Sequence, residues 1–224
     1  MYAPRWLGIL SFILLFSACA KEDSTESLRP SAEGAISLSF RNTVNNATLN
    51  FTDQYTNDCG ETYTVSRFRY YVHDIQLLNN AGEAVNLSSD YFLVDEDIPA
   101  SKTLTFKTPI GNYTSLIYTL GVDSARNMSG AQTGALDPGK GMFWTWNSGY
   151  VMAKLEGHAD VSNELNHEFT YHVGGYKSPY IVIRKITLPI DDAGALQITR
   201  DTSLTINIKA DINTWFSHNV QVKI

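Results

Sequence analysis

Alternation between apolar and polar residues, the pattern of a half-buried β-strand, recurs along most of the chain. It is clear at Ile36, Leu38 and Phe40, and again at Phe169, Tyr171 and Val173, where the phase puts His172 on the face opposite the aromatic side chains. Further strands are predicted at 48–51, 62–78, 91–94, 104–106, 115–120, 150–156, 180–190 and 196–212. Roughly eight to ten short strands separated by turn residues predict an all-β fold, a single-domain β-sandwich.

The longest predicted strand, Thr62 to Leu78, changes phase along its length. Phe68, Tyr70 and Val72 occupy one phase, and the apolar residues that follow Asp74 occupy the other. A β-bulge at His73–Asp74 would let both sets face the core. Bulges often lie beside functional sites and also bend strands for purely structural reasons, so His73 becomes a candidate site residue with both interpretations open.

An irregular segment from Gly121 to Gly141 leads into a stretch that is rich in large polarisable side chains. Met142, Trp144 and Trp146 are spaced two residues apart, so they share one face if the stretch is a strand. Such a face either packs into the hydrophobic core or forms a polarisable binding surface. So long an irregular segment inside a compact domain is usually functional or mobile.

The N-terminus has the pattern of a bacterial lipoprotein signal peptide. Arg5 precedes an apolar run that is too short to span a membrane, and Ser17-Ala18-Cys19 follows it. We therefore expect a signal peptide at 1–18, a lipidated Cys19 with a flexible linker at 19–34, and the sandwich domain at 35–224. Acyl chains on Cys19 would anchor the protein to the bacterial outer membrane, facing the periplasm or the cell surface. Cys59 then has no partner for an intramolecular disulfide.

Charge and motifs exclude several classes of function. A net charge of −6 argues against nucleic acid as a partner. The acidic groups Asp95-Glu96-Asp97 and Asp191-Asp192 are expected on solvated loops, and no catalytic motif is recognisable, so we expect a protein that is not an enzyme. The five histidines are scattered, so a metal site would have to be assembled across strands.

Five stretches of the chain together resemble the MbnP-like copper-binding family. They are Phe68–Val72, Gly121–Asn127, Ser129–Pro138, the tryptophan stretch and Tyr171–Gly175. The resemblance implies an exported β-sandwich that binds copper, in which a partner di-haem peroxidase can oxidise a tryptophan to kynurenine. It implies His172 with Trp144 or Trp146 at the site. Met142 and His73 are further candidates, and His73 stands where the family pattern has a small polar residue.

Two other functions remain open at this point. Trp144, Trp146 and Tyr150 would form an exposed aromatic platform if the protein bound a glycan or another protein at the cell surface. Alternatively, the same residues would simply be core in a structural lipoprotein. Tryptophans close to His172 would favour the metal site, whereas a flat, solvent-facing pair away from any histidine would favour the glycan platform.

Overall fold

The computed structural model describes residues 32–144, 149–190, 196–201, 203–217 and 222–224. By its internal contacts the chain divides into Met1–Pro30, which lies outside the described residues, and Ser31–Ile224. The predicted signal peptide, Cys19, Trp146 and the Asp191-Asp192 pair also lie outside them. No helix among the described residues is both long and apolar enough to cross a membrane.

Strands dominate the described residues, and one short helix, α1, spans Ser124–Met128. The strands are β1 (Glu33–Val44), β2 (Ala47–Thr48), β3 (Gln54–Thr56), β4 (Thr62–Asn79), β5 (Ala84–Ser88), β6 (Phe92–Asp95), β7 (Thr103–Pro109), β8 (Gly111–Leu120), β9 (Phe143–Trp144), β10 (Gly149–Tyr150), β11 (Ala153–His158), β12 (Glu168–Val173), β13 (Arg184–Pro189), β14 (Leu196–Ile198) and β15 (Ser203–Asp211). Short 3-10 turns occur at Pro99–Lys102, Gly134–Leu136, Pro138–Lys140, Leu165–His167 and Ile212–Trp215.

Two sheets pack face to face around the main core. In the smaller sheet, β1 lies between β15, to which it is parallel, and β7, to which it is antiparallel. In the larger sheet β4 pairs with β11 and β8, which pair in turn with β12 and β13, and further short strands pair with β4 and β8. Phe40 of β1 meets Tyr70 and Tyr118 of the larger sheet with ring centroids 6.2 Å away in each case. The predicted all-β sandwich is confirmed.

The predicted bulge in β4 is also confirmed. Asp74 has a φ of 49°, and the pairing of β4 with β8 shifts between His73 and Gln76. The shift lets Ile75 and Leu77 join Tyr70 and Val72 in the main core. As a result His73 lies on the outer face of the larger sheet, in the same phase as Arg69 and Tyr71.

The larger sheet splits at Tyr71. Strand β11 pairs with the first half of β4, and β8 pairs with the second half on the same side of that strand. Tyr71 N donates to Met152 O over 3.0 Å, and Tyr71 O accepts from Gly121 N over 2.9 Å. The end of β8 therefore meets the approach to β11 at this residue. Both the segment after β8 and the hairpin before β11 leave the sheet here.

Two details of the sequence prediction are wrong. Asp95 is not on a solvated loop: it is only 2% exposed, and its Oδ2 lies 2.9 Å from Arg69 Nε. The apolar run from Tyr180 to Ile183 is not a strand, and Tyr180 is 77% exposed. An apolar run satisfies strand propensity, but without a neighbouring strand to pair with it does not form a ladder.

Candidate functional site

A second apolar cluster, here called the outer cluster, covers the outer face of the larger sheet at the split. Its buried members are Tyr71, Val122, Leu136, Met142, Tyr150 and Val151, and Tyr91, Leu93, Phe143 and Trp144 pack against them. The cluster joins the irregular segment after β8 to the tryptophan stretch. Burial of these side chains, rather than regular backbone pairing, therefore holds the segment on the sheet.

A buried asparagine fixes the fold of that segment. Asn127 is 1% exposed, and its Nδ2 donates to Val122 O over 2.7 Å and to Asp123 O over 2.9 Å. Its Oδ1 accepts from Tyr150 N over 2.9 Å. The side chain thus bonds backbone groups on both sides of the outer cluster, and its loss would take this partner from Val122 O and Tyr150 N.

Two tyrosine hydroxyls complete this connection. Tyr71 donates to Ala135 O over 3.1 Å, and Tyr150 donates to Leu136 O over 2.8 Å. Burial raises the pKa of both phenols, so they stay protonated and act as donors. Tyr150 is 1% exposed. The prediction that Tyr150 belongs to an exposed aromatic platform is therefore wrong.

The tryptophan stretch forms a hairpin of β9 and β10. Gly149 pairs with Trp144, and Val151 N donates to Met142 O over 2.9 Å. Met142 is completely buried in the outer cluster, whereas Trp144 is only half-buried. The side chains of Met142 and Trp144, predicted to share one face, therefore lie in different environments. Trp146 lies outside the described residues.

The six-membered ring of Trp144 lies directly on Gly174, just beyond the end of β12. A Cβ placed on Gly174 would lie 2.6 Å from Trp144 Cη2 and 2.8 Å from Tyr150 O. Only a residue without a side chain allows the indole to approach this closely. The hairpin is thus seated on the end of the strand that carries His172.

His172 lies on the outer face of β12 within a small charged network. Its Nε2 is 2.7 Å from Glu156 Oε1, and its side chain is 31% exposed. Glu156 Oε1 also lies 3.5 Å from Lys154 Nζ, and Glu156 Oε2 lies 3.4 Å from Arg67 Nη1. Lys154, the cross-strand partner of His172, donates to Gly141 O over 2.7 Å. This network connects His172 to the residue that precedes the hairpin.

The same network keeps Glu156 ionised. Burial by itself would raise the pKa of this carboxyl group, but the hydrogen bond with His172 and the charges of Lys154 and Arg67 outweigh burial and lower it. Because the folded-state pKa is depressed, the network stabilises the fold above the unfolded-state pKa of Glu156. This contribution is lost as the pH falls through the folded-state pKa.

His172 and Gly174, the residue that Trp144 covers, lie close together at the end of β12. His172 and Gly174 are two residues apart, which in extended chain places their Cα atoms about 6.6 Å apart with the same side-chain direction. Trp144 covers Gly174, so the tryptophan hairpin contacts the chain two residues beyond His172. The hairpin therefore reaches the same end of β12 that carries His172.

His73 lies in a different environment from His172. It is 3% exposed, stacks on Tyr91 with ring centroids 4.5 Å apart, and has its Nδ1 3.2 Å from Asp74 Oδ2. Two strand spacings and four residues of β4 separate it from His172, a Cα distance of about 16 Å. Two imidazoles cannot span that distance and both ligate one ion at about 2 Å. The structure thus keeps His73 apart from His172.

Histidine, cysteine and carboxylate side chains do not form a metal-binding group of three or more in the described part of the chain. Within these residues the carboxylate of Glu156 is the group that contacts His172 Nε2. Sequence reasoning missed Glu156 and Lys154, although their spacing of two places them on one face of β11. Only the register of β11 against β12 shows that they lie beside His172.

The fold and site together define an all-β sandwich with a tryptophan hairpin fixed beside an oriented histidine on the outside of its larger sheet. The MbnP family profile matches residues 33–224, and the chain belongs to this family. The family is associated with methanobactin and copper.

One solved structure with this fold is MbnP from Methylosinus trichosporium. The two superpose with a TM-score of 0.51 and 12% sequence identity, and the alignment covers 76% of each chain. At this identity the likeness shows the fold alone. Comparison of the chain with curated proteins gives no match.

Proposed function

We propose that this protein is an exported, lipid-anchored copper-binding protein that handles or scavenges copper rather than catalysing a reaction. The observation that supports this most is the contact between His172 Nε2 and Glu156 beside the tryptophan hairpin. Histidines that ligate metals usually donate their other ring N–H to a carboxylate or carbonyl group, which fixes the tautomer and the ring orientation. Nδ1 of His172 is then the nitrogen that would hold copper.

The remaining donors in this proposal come from the tryptophan hairpin. An intact indole offers only an N–H donor and a π face, so Trp144 can contact a cation without ligating it. Oxidation of Trp144 or Trp146 to kynurenine by a di-haem peroxidase would provide an aromatic amine. The thioether of Met142 suits Cu(I) and is packed beneath the hairpin, whereas His73 is too far from His172 to join the same ion.

The proposal also includes the location of the protein. Cys19 would carry the lipid that holds the domain at the bacterial outer membrane, on the periplasmic or the outer side. The membrane and the modifying peroxidase are then its partners, and nucleic acid is not.

Replacing His172 with alanine is expected to weaken copper binding by at least about tenfold, because an oriented imidazole donor is lost. Titration with Cu(I) and Cu(II), in competition with a chelator of known affinity, measures the change. His158→Ala removes an exposed imidazole from the neighbouring strand β11 and serves as the control. Equal affinities of wild type and His172→Ala would rule out His172 as a ligand.

The intact mass of protein from its native host tests the modification. Kynurenine formation adds about 4 Da per converted tryptophan, a figure that follows from the atoms exchanged in this covalent change. Peptide mapping then assigns the change to Trp144 or Trp146. If the protein has the unmodified mass and still binds copper tightly, kynurenine is not needed for binding. The proposal would then keep His172 as the ligand without kynurenine.

Replacing Glu156 with alanine is expected to weaken copper binding by about 10- to 100-fold, because His172 loses the partner that fixes its tautomer. Glu156→Gln retains an acceptor oxygen for Nε2–H and should recover part of the affinity. Glu164→Ala, at an exposed position, is the control. Chelator competition measures affinity, and the histidine ring resonances in NMR report the tautomer. Unchanged affinity and resonances in Glu156→Ala would show that this carboxylate does not position His172.

A further inference from the structure

A cleft that shares Trp144 with the proposed copper site, but does not include His172, opens between the tryptophan hairpin and the loop that follows β12. Its volume is about 330 Å³, within the range of small-molecule sites. The walls include Trp144, Tyr176, Lys177 and Tyr180, and glycines form much of the remaining surface. His172 is not among the lining residues, so a ligand here would not need the imidazole.

The loop that carries these side chains is held in place by hydrogen bonds. Tyr180 N donates to Lys177 O over 2.8 Å, and Val182 N donates to Gly175 O over 3.1 Å. Ser124 Oγ donates to Tyr176 O over 2.9 Å and so ties the loop to helix α1. Tyr180 is nonetheless 77% exposed. A solvent-facing ring on a fixed backbone loses little entropy when it binds a ligand.

The chemistry of the walls restricts the ligand. Aromatic faces stack against planar rings and against the C–H faces of ring-shaped molecules. Among the described residues that line the cleft, Lys177 is the one that carries a charge, and its Nζ lies 5.2 Å from the centre of the Tyr176 ring. An ammonium group beside stacking surfaces favours a carboxylate on the ligand. Overall the protein carries a net charge of −6, which argues against a long polyanion.

We propose that this cleft binds a carboxylate attached to a single ring about the size of a sugar or a benzene ring. The carboxylate pairs with Lys177, and the ring stacks on Tyr180 against the wall formed by Trp144. Uronic acids and aromatic acids share this chemistry. The binding does not depend on copper, so it goes beyond the proposed function.

Calorimetric titration of the full chain in a sugar-free detergent tests the proposal. One arm uses galacturonic acid against galactose, and the other uses 4-hydroxybenzoate against 4-hydroxybenzyl alcohol. In at least one arm the acid should bind about five- to tenfold more tightly than its neutral counterpart. Whichever acid binds identifies the source of the ligand.

Variants of the wall residues localise the binding. Tyr180→Ala and Lys177→Gln should each weaken binding of the acid about tenfold. Lys185→Gln, which changes an exposed lysine outside the cleft, should not alter this binding. Because the side chains of Tyr180 and Lys177 are exposed, the variants are expected to fold, and their melting temperatures verify this. The proposal is overturned if neither acid binds at millimolar concentration, or if binding is unchanged in both wall variants.

Discussion

Replacing Gly157 with alanine is expected to lower the free energy of unfolding by about 3 kcal/mol or more. Gly157 lies on β11 where the pairing with β4 shifts by one residue. A Cβ there would collide with the backbone oxygen of Thr64 and would lie 2.6 and 2.8 Å from two ring carbons of Phe169. A backbone atom cannot move away as the end of a flexible side chain can, so either β4 or β11 must shift.

Urea denaturation followed by far-ultraviolet circular dichroism measures this change. Gly111→Ala is the matched control, because a Cβ at Gly111 meets nothing closer than 3.8 Å. That variant should keep or slightly gain stability, since alanine restricts the unfolded chain. If Gly157→Ala unfolds at the same urea concentration as Gly111→Ala, the close approach of β4 to Gly157 is not present in solution.

Replacing Gly174 with alanine is expected to displace Trp144 from β12 and to destabilise the protein by about 2 kcal/mol. The added methyl group would occupy the space of the indole ring and would also approach Tyr150 O. The ring is the more easily moved of the two, because Trp144 is only half-buried. If the hairpin supplies a copper donor beside His172, copper affinity should fall about tenfold in the same variant.

Near-ultraviolet circular dichroism and tryptophan fluorescence detect the displacement without copper. Trp144→Phe identifies the part of each signal that comes from Trp144, and Gly111→Ala again serves as the control. A spectrum identical to that of wild type would mean that the indole does not lie on Gly174. A changed spectrum with unchanged copper affinity would instead show that the hairpin does not contribute to copper binding.

The features that could be predicted from the sequence depend on residues close together in the chain. The phase change after Asp74 predicts the bulge in β4 because side-chain direction alternates from one residue to the next. The alternation in β12 likewise places His172 opposite Phe169. Neither inference requires knowledge of which strand lies alongside.

The remaining features depend on pairings that periodicity does not specify. Glu156 reaches His172 only through the register of β11 against β12, and the split at Tyr71 requires two strands to share one side of β4. The spacing of two residues puts Met142 and Trp144 in the same phase, yet Met142 is fully buried and Trp144 is half-buried. The face of a strand follows from sequence, but what covers that face follows from tertiary packing.

The meeting of β8 and β11 at Tyr71 has a consequence for how such a protein can diverge. The two strands abut end to end, and the described residues 122–144 and 149–151 of the connection between them take no part in the ladders on β4. Insertions or deletions in this connection change the shape above the sheet and leave the pairing of β4 untouched. Related chains can therefore exchange the side chains carried by this connection, Met142 and Trp144 among them, while they retain the same sandwich beneath.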